Sequence, residues 1–139
     1  NNVGQIIAKG SNTYLRTTNE GSDRYVDLEA SLDLASSDAT ITLTNALPLN
    51  EWHFVAFGYT DDSDDEISVY IDGQLKGTST NGSGAPASDA NDWLLGGSTD
   101  ANYHGLLDEV SLYSYERTAV QITEDTTSKG ALKGVNIIP

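Results

Sequence analysis

Few of the side chains that carry out covalent chemistry are present. There is no Cys, hence no thiolate nucleophile and no disulfide. The two histidines, His53 and His104, have no serine in a nucleophile-elbow context and no metal-ligand spacing between them. Hydrolysis of a glycosidic bond needs two carboxylates of different environment across one bond. Asp108 and Glu109 are adjacent in a segment that reads as a strand, so their side chains leave opposite faces and do not flank one substrate. The expectation is a protein that binds rather than catalyses.

Oxygen donors and aromatic rings are the remaining chemistry. Alternation puts Asp108 on the face of Val110 and Leu112, which should be the core face, where a carboxylate needs partners. It either ligates calcium at the sheet edge or accepts hydrogen bonds from loop N–H groups. Glu109 shares the other face with Leu107, Ser111 and Tyr113 and reads as a partner for an Arg or a backbone amide. Asp61, Asp62, Asp64, Asp65 and Glu66 form one dense acidic turn, and Asp89, Asn91 and Asp92 form a second oxygen-rich cluster. Calcium takes six to eight oxygens and such turns offer them, but the Gly and distal Glu of an EF-hand loop are missing. A solvated turn that discourages edge association is the competing reading. The candidate metal ligands are Asp64, Asp89 and Asp108, with calcium the candidate ion. Trp93, Tyr103 and His104 lie in or beside loops that also carry Asn91, Asp100 and Asn102. A planar ring flanked by amide and carboxylate groups is a candidate sugar site, for which Trp93, Tyr103, Asn91 and Asn102 are the expected contacts. The competing reading has Trp93 filling core at a strand start and Tyr103 covering a loop. Trp52, also at a strand start, reads as core.

The elements that must position these groups are strands. Val26, Leu28, Ala30 and Leu32 alternate with Tyr25, Asp27, Glu29 and Ser31, which predicts a strand over 24–32 with one core face and one wet face. Ala39, Ile41 and Leu43 alternate with threonines, and Ile67, Val69 and Ile71 alternate with Ser68 and Tyr70, giving two further half-buried strands. Residues 51–60 (EWHFVAFGYT) are apolar on both faces, as in a central strand covered on both sides. Asp72-Gly73 supplies the positive φ angles of a type I′ turn, so residues 67–78 should be a hairpin. Residues 79–92, rich in Ser, Gly, Ala and Asn, read as a long surface loop. Residues 106–115 (LLDEVSLYSY) read as the last strong strand. Thr118 and Gln121 have capping-box spacing, which predicts one or two helical turns ending near Lys129-Gly130. The residues after that are a tail or one more strand.

Charge narrows the partners. With 7 Lys and Arg against 21 Asp and Glu, the chain carries a formal charge of −14. Phosphate backbones and anionic headgroups are repelled, so neither nucleic acid nor a membrane surface is expected as a partner. No apolar run approaches the roughly 20 residues that span a bilayer. A chain of 139 residues forms one domain with a real core and needs no staples. It opens on Asn1, with neither an initiator Met nor a signal segment, and is expected to be a processed product or a fragment.

Three motifs in order resemble one family. EWHFVAFGYT is similar to the W-H-H-V-A strand of laminin-G-like, concanavalin A-like jelly-roll domains, with Phe54 at the second His position. SVYIDGQLKGT is similar to their v-Y-v-D-G hairpin, and HGLLDEVSLYSYERT resembles their f-x-G-x-i-D-E-V-x-i-Y ending. LLGGSTD is similar to the l-x-i-G segment between the last two. The resemblance covers about Gln5 to Ile122. Members usually begin with one or two further strands before the segment corresponding to Ile6–Lys9. Val135, Ile137 and Ile138 in the tail, or a strand donated by a neighbouring subunit, are candidates to fill that gap.

The resemblance implies an all-β fold: two antiparallel sheets packed as a sandwich, here with one short C-terminal helix. It further implies carbohydrate or protein binding at the rim or concave face, often with one calcium ion, and Asp108 matches the Asp of the family's D-E-V. The expected organisation is a jelly-roll domain over 1–130 and a tail or completing strand over 131–139. The expected function is a non-catalytic carbohydrate-binding, lectin-like or adhesion module, extracellular or on a cell surface, whose partner is a glycan or a cell-surface protein. The alternative is a structural subunit of a surface filament, surface layer or viral particle whose sheet is completed by another chain.

Overall fold

A computed structural model describes residues 3–18, 24–97 and 101–128, and the backbone of 135–137. The strands are β1 (Gly4–Lys9), β2 (Thr13–Thr18), β3 (Tyr25–Leu32), β4 (Ala39–Pro48), β5 (Trp52–His53), β6 (Val55–Thr60), β7 (Glu66–Ile71), β8 (Gln74–Ser79), β9 (Trp93–Leu95), β10 (Gly105–Leu107) and β11 (Val135–Ile137), with one helix, α1 (Ala119–Ser128), before the last strand. One layer is a sheet in the order β4-β3-β2-β1-β9. The other is built around the run from β5 to β6, interrupted at Phe54, with β6-β7-β8 at one end and β10-β11-β5 at the other. All pairings between named strands are antiparallel, so the expected sandwich of two antiparallel sheets with a short C-terminal helix is what the chain forms.

The core lies between the layers, where Val26, Leu28, Ala30 and Leu47 of the first meet Ile67, Val69 and Ile71 of the second, all buried. A Cβ placed on Gly77 of β8 would lie 2.9 Å from a methyl of Leu43 and 3.0 Å from one of Ile41. A larger residue there would force the sheets apart. Two strands are drier than alternation predicts. On β3 the face expected to be wet holds buried Asp27 and Ser31, because Asp27 Oδ1 accepts the N–H of Asn45 at 2.7 Å beside the bulge that shifts the β3–β4 register between Val26 and Leu28. β7 is buried on both faces, Ser68 and Tyr70 included. It is the middle strand between β6 and β8.

The expected hairpin is present. Ile71 faces Gln74 in the ladder, and Asp72 and Gly73 have φ of 52° and 78°, the left-handed pair a type I′ turn requires. The Asp72 side chain also holds the preceding strand, accepting the Phe54 N–H at 3.0 Å and contacting His53 Nδ1 at 2.8 Å. The reciprocal capping box of α1 forms, with the Thr118 N–H donating to Gln121 Oε1 at 3.0 Å and the Gln121 N–H to Thr118 Oγ1 at 3.3 Å. α1 runs on to Ser128, longer than the one or two turns predicted; the stop expected at Lys129-Gly130 lies outside the described residues. The helix seats Ile122 in the interior and rests on the hairpin turn, with Thr123 Oγ1 3.3 Å from the Gly73 carbonyl.

The surface loop over 79–92 is pinned to the connection between β3 and β4 by bridges Leu34–Pro86 and Ser37–Ser83. It is also held by the acidic turn, where Asp65 Oδ2 accepts the Gly84 N–H at 3.2 Å and Asp65 Oδ1 lies 2.9 Å from the Tyr59 hydroxyl. That hydroxyl, partly desolvated, bonded to Asp65 and facing the charges of Asp61 and Asp62, has its pKa pushed up to about 12.

Two segments differ from expectation among the described residues. Residues 51–60 are expected as one central strand; the run is split at Phe54, with β5 paired to β11 and β6 to β7. Residues 106–115 are expected as a strand, yet strand structure ends at Leu107. β11 lies between β10 and β5, pairing Val135 with Leu107 on one side and with His53 on the other. Past Leu107 the chain leaves strand geometry, because Glu109 takes a φ of 53°, a left-handed backbone that breaks an extended run.

Two predictions follow from these contacts. Asp72→Ala should lower the unfolding free energy by about 1–3 kcal/mol, since it removes an acceptor from the Phe54 N–H and a residue suited to positive φ. Asp72→Asn should recover most of the loss; urea denaturation of the three proteins measures both. The raised Tyr59 pKa means that the folded state holds this proton more tightly than the unfolded chain, whose Tyr titrates near about 10. Its contribution is therefore complete below pH 10 and is lost as pH rises toward 12. Melting temperatures from pH 9 to 12 should fall more steeply for the parent than for Tyr59→Phe.

Candidate functional site

A cleft of about 750 Å³ lies between the two layers, lined among others by β6 and the segment over 107–117. Its floor is core, with Ile6 and Leu15 from the first sheet and Val55 and Phe57 from the second, and Trp93 stands among the lining residues. Its outer wall is apolar and wet: Val110 is 45% and Leu112 55% exposed, and Tyr113 and Tyr115 are exposed too, their rings edge to face at 5.6 Å. Arg117 closes one end. Its guanidinium lies 4.6 Å over the Tyr113 ring and donates to Asp125 Oδ2 at 2.7 Å.

The expected sugar contacts fall into two groups along β9. Trp93 pairs with Lys9 across the β1–β9 ladder and is 42% exposed. It therefore does not fill core as a strand-start Trp would. Asn91 and Asp92 beside it are exposed, and the Asn91 amide lies over Gly10, where a Cβ would come within 2.9 Å of Nδ2. Asp89 anchors this corner. Its Oδ1 accepts the Asn91 N–H at 2.7 Å and lies 3.1 Å from Lys9 Nζ, and these partners hold its carboxyl below the usual range.

Tyr103 is at the other end of β9, with its N–H donating to the Gly96 carbonyl at 3.0 Å. Three residues of strand, roughly 10 Å, separate the two aromatic positions. Tyr103 is half-buried against the core, so it covers a loop, while Asn102 and His104 on either side are exposed. Asp100 lies outside the described residues. The structure thus brings Trp93 and Asn91 together and sets Tyr103 and Asn102 apart from them. Trp52, read as core, is half-buried in the short strand that pairs with Asn136.

The expected calcium ligands do not converge. Asp108, expected on a core face, is exposed, because the alternation that would have turned it inward ends at Leu107; its Oδ1 accepts the Glu109 N–H at 2.9 Å. Asp64 lies in the acidic turn, where its own N–H donates to Asp62 Oδ1 at 2.9 Å. Asp89 is committed to Lys9 and Asn91. Among the described residues no three His, Asp or Glu side chains form a group that could hold a metal ion. The donor set does not fit an ion that takes six to eight oxygens. Sequence reasoning missed the feature that dominates the geometry, the cleft lined by β6 and the segment over 107–117. Its signal was present in the apolar run on both faces of 51–60.

No helix of the described residues is long and apolar enough to cross a membrane. No curated protein and no solved structure matches the chain. Residues 1–123 match the laminin-G family model described as the concanavalin A-like lectin/glucanases superfamily. That match, the sandwich of antiparallel sheets and the three motifs agree, and the chain belongs to the concanavalin A-like lectin/glucanase superfamily.

Proposed function

We propose that this domain is a non-catalytic carbohydrate-binding or adhesion module, acting outside the cell or on its surface, with the corner around Trp93 as its contact site. The superfamily's laminin-G-like domains are often carbohydrate-binding or adhesive and are generally non-catalytic. The observation that carries the reading is Trp93, 42% exposed, next to exposed Asn91 and Asp92. An indole face offers an apolar plane to the C–H face of a sugar ring, and an amide and a carboxylate beside it accept and donate to the hydroxyls. Asp89 supports the site without touching the ligand, because its bonds to Asn91 and Lys9 fix the loop before any sugar arrives. A loop ordered in advance loses less entropy on binding. The formal charge of −14 favours neutral or cationic glycans over sulfated or sialylated ones.

A glycan array probed with the purified domain tests this reading. The expected result is a reproducible set of neutral glycans whose affinity falls at least tenfold, about 1.4 kcal/mol, in Trp93→Ala and in Asn91→Ala, with both variants keeping the parent melting temperature. A blank array, or binding that both variants retain in full, would overturn it.

A further inference from the structure

The loop over 79–92 closes on the first sheet through one dipeptide. Asn81-Gly82 is the only Asn-Gly pair in the sequence, and its two halves are held by two consecutive residues of β4. The Thr40 N–H donates to Asn81 Oδ1 at 3.0 Å, and Asn81 Nδ2 donates to Thr40 Oγ1 at 3.0 Å. Gly82 is buried against Ala39, where a Cβ at position 82 would lie 2.6 Å from the Ala39 Cβ and 2.7 Å from its Cα and N. No larger residue fits against that backbone. The fold therefore asks for an amide at 81 and for glycine at 82. Ser83 completes the closure, its N–H donating to the Ser37 carbonyl at 2.8 Å and its carbonyl accepting the Ser36 and Ser37 N–H groups at 3.2 Å.

The pair that the packing requires is also chemically labile. A residue without Cβ lets the backbone approach closely, so the Gly82 nitrogen meets little hindrance in reaching the side-chain carbonyl carbon of Asn81. In the reaction that follows, the Gly82 N–H gives its proton to hydroxide and the nitrogen bonds to Cγ of Asn81. The Cγ–Nδ2 bond breaks, Nδ2 takes up a proton and leaves as ammonia, and a five-membered succinimide remains. Water then adds to one of the two ring carbonyl carbons and opens the ring, to aspartate or to isoaspartate, in which the main chain runs through Cγ. One water enters, one ammonia leaves, and nothing is oxidised or reduced. The closed loop opposes this at both reactants: the electrophilic amide is tied at both ends to Thr40, and the nucleophile is buried against Ala39, away from base.

We propose that Asn81-Gly82 is a self-modification site, protected by the closed loop and released by its opening, at which isoaspartate formation makes that opening one-way. Local openings of this kind precede global unfolding. An aspartate at 81 can close again, one oxygen accepting the Thr40 N–H and the other its hydroxyl. Isoaspartate adds one atom to the main chain, which carries Gly82 off Ala39 and Ser83 out of step with Ser37. The inference goes beyond the carbohydrate reading and does not depend on it, since it concerns the contacts of Asn81, Gly82 and Ser83 alone.

The test is peptide mass mapping of the intact domain, aged in mildly alkaline buffer and scored for conversion and for isoaspartate at position 81. Conversion should be at least tenfold slower in the folded domain than in the same domain unfolded in urea. Thr40→Val, which keeps the β-branched shape and removes Oγ1, should quicken conversion in the folded domain about fivefold, as expected for one hydrogen bond, and leave the rate in urea unchanged. In the isoaspartyl product the Ser36 and Ser37 amides should exchange with solvent at least tenfold faster than in the parent, whereas Asn81→Asp should keep the parent rates. Equal conversion in the folded and urea-unfolded domain would overturn the proposal, because the loop then protects nothing. A parent-like rate in Thr40→Val would overturn it too, and so would Ser36 and Ser37 exchange that conversion leaves unchanged or that Asn81→Asp accelerates equally.

Discussion

The rest of the structure depends on the requirement that a strand have a ladder. β7 satisfies it on both sides, between β6 and β8, and it is the strand whose Ile67 and Val69 are almost wholly excluded from water. It forms the firm centre of the second layer, onto which Val26, Leu28 and Leu47 of the first layer pack. Among the described residues β6 pairs with β7, and strand structure in the later segment ends at Leu107. Burial falls with distance from β7: the residues of β6 are half-buried, and Leu106, Val110, Leu112, Tyr113 and Tyr115 are exposed.

Much of this was legible in the sequence because much of it is local. The Asp72-Gly73 turn requires two residues that tolerate positive φ, and the dipeptide names them. The box of Thr118 and Gln121 is a four-residue signal with its own hydrogen bonds. Alternation at Val26, Leu28 and Ala30 marked a core face that the structure keeps. What was not legible depends on chain far away in sequence. That Asp27 and Ser31 are buried follows from the bulge and the Asn45 N–H across the β3–β4 pair, and nothing in residues 25–32 encodes that partner. The same holds for residues 106–115, whose alternation describes a strand faithfully; whether the strand forms is decided by the neighbour.

The candidate site divides along the same line. Trp93 and Asn91 are two positions apart and share a corner because β9 and its preceding loop are short-range structure, held by Lys9 and Asp89. Tyr103 and Asn102 were grouped with them by composition. A strand three residues long is enough to carry them to the opposite end. Proximity in sequence across a strand is distance in space, whereas across a turn it is contact. The acidic clusters show the complementary lesson. Asp65 and Asp89 spend their oxygens on Gly84, Tyr59, Asn91 and Lys9, fixing two loops, which is the ordinary use of an Asp in a turn.

The proposed contact site is tied to the core through its own strand. Trp93 is among the residues that line the cleft together with Ile6, Leu15, Val55 and Phe57, its backbone pairs with Lys9, and Asp89 holds the preceding loop through Lys9 and Asn91. Stacking of a neutral sugar on a ring is indifferent to the charge of the surface around it, so specificity has to come from the hydroxyl pattern read by Asn91 and Asp92. Added salt screens the acidic surface over a Debye length of about 8 Å at physiological ionic strength and leaves stacking of a neutral sugar on Trp93 nearly unchanged.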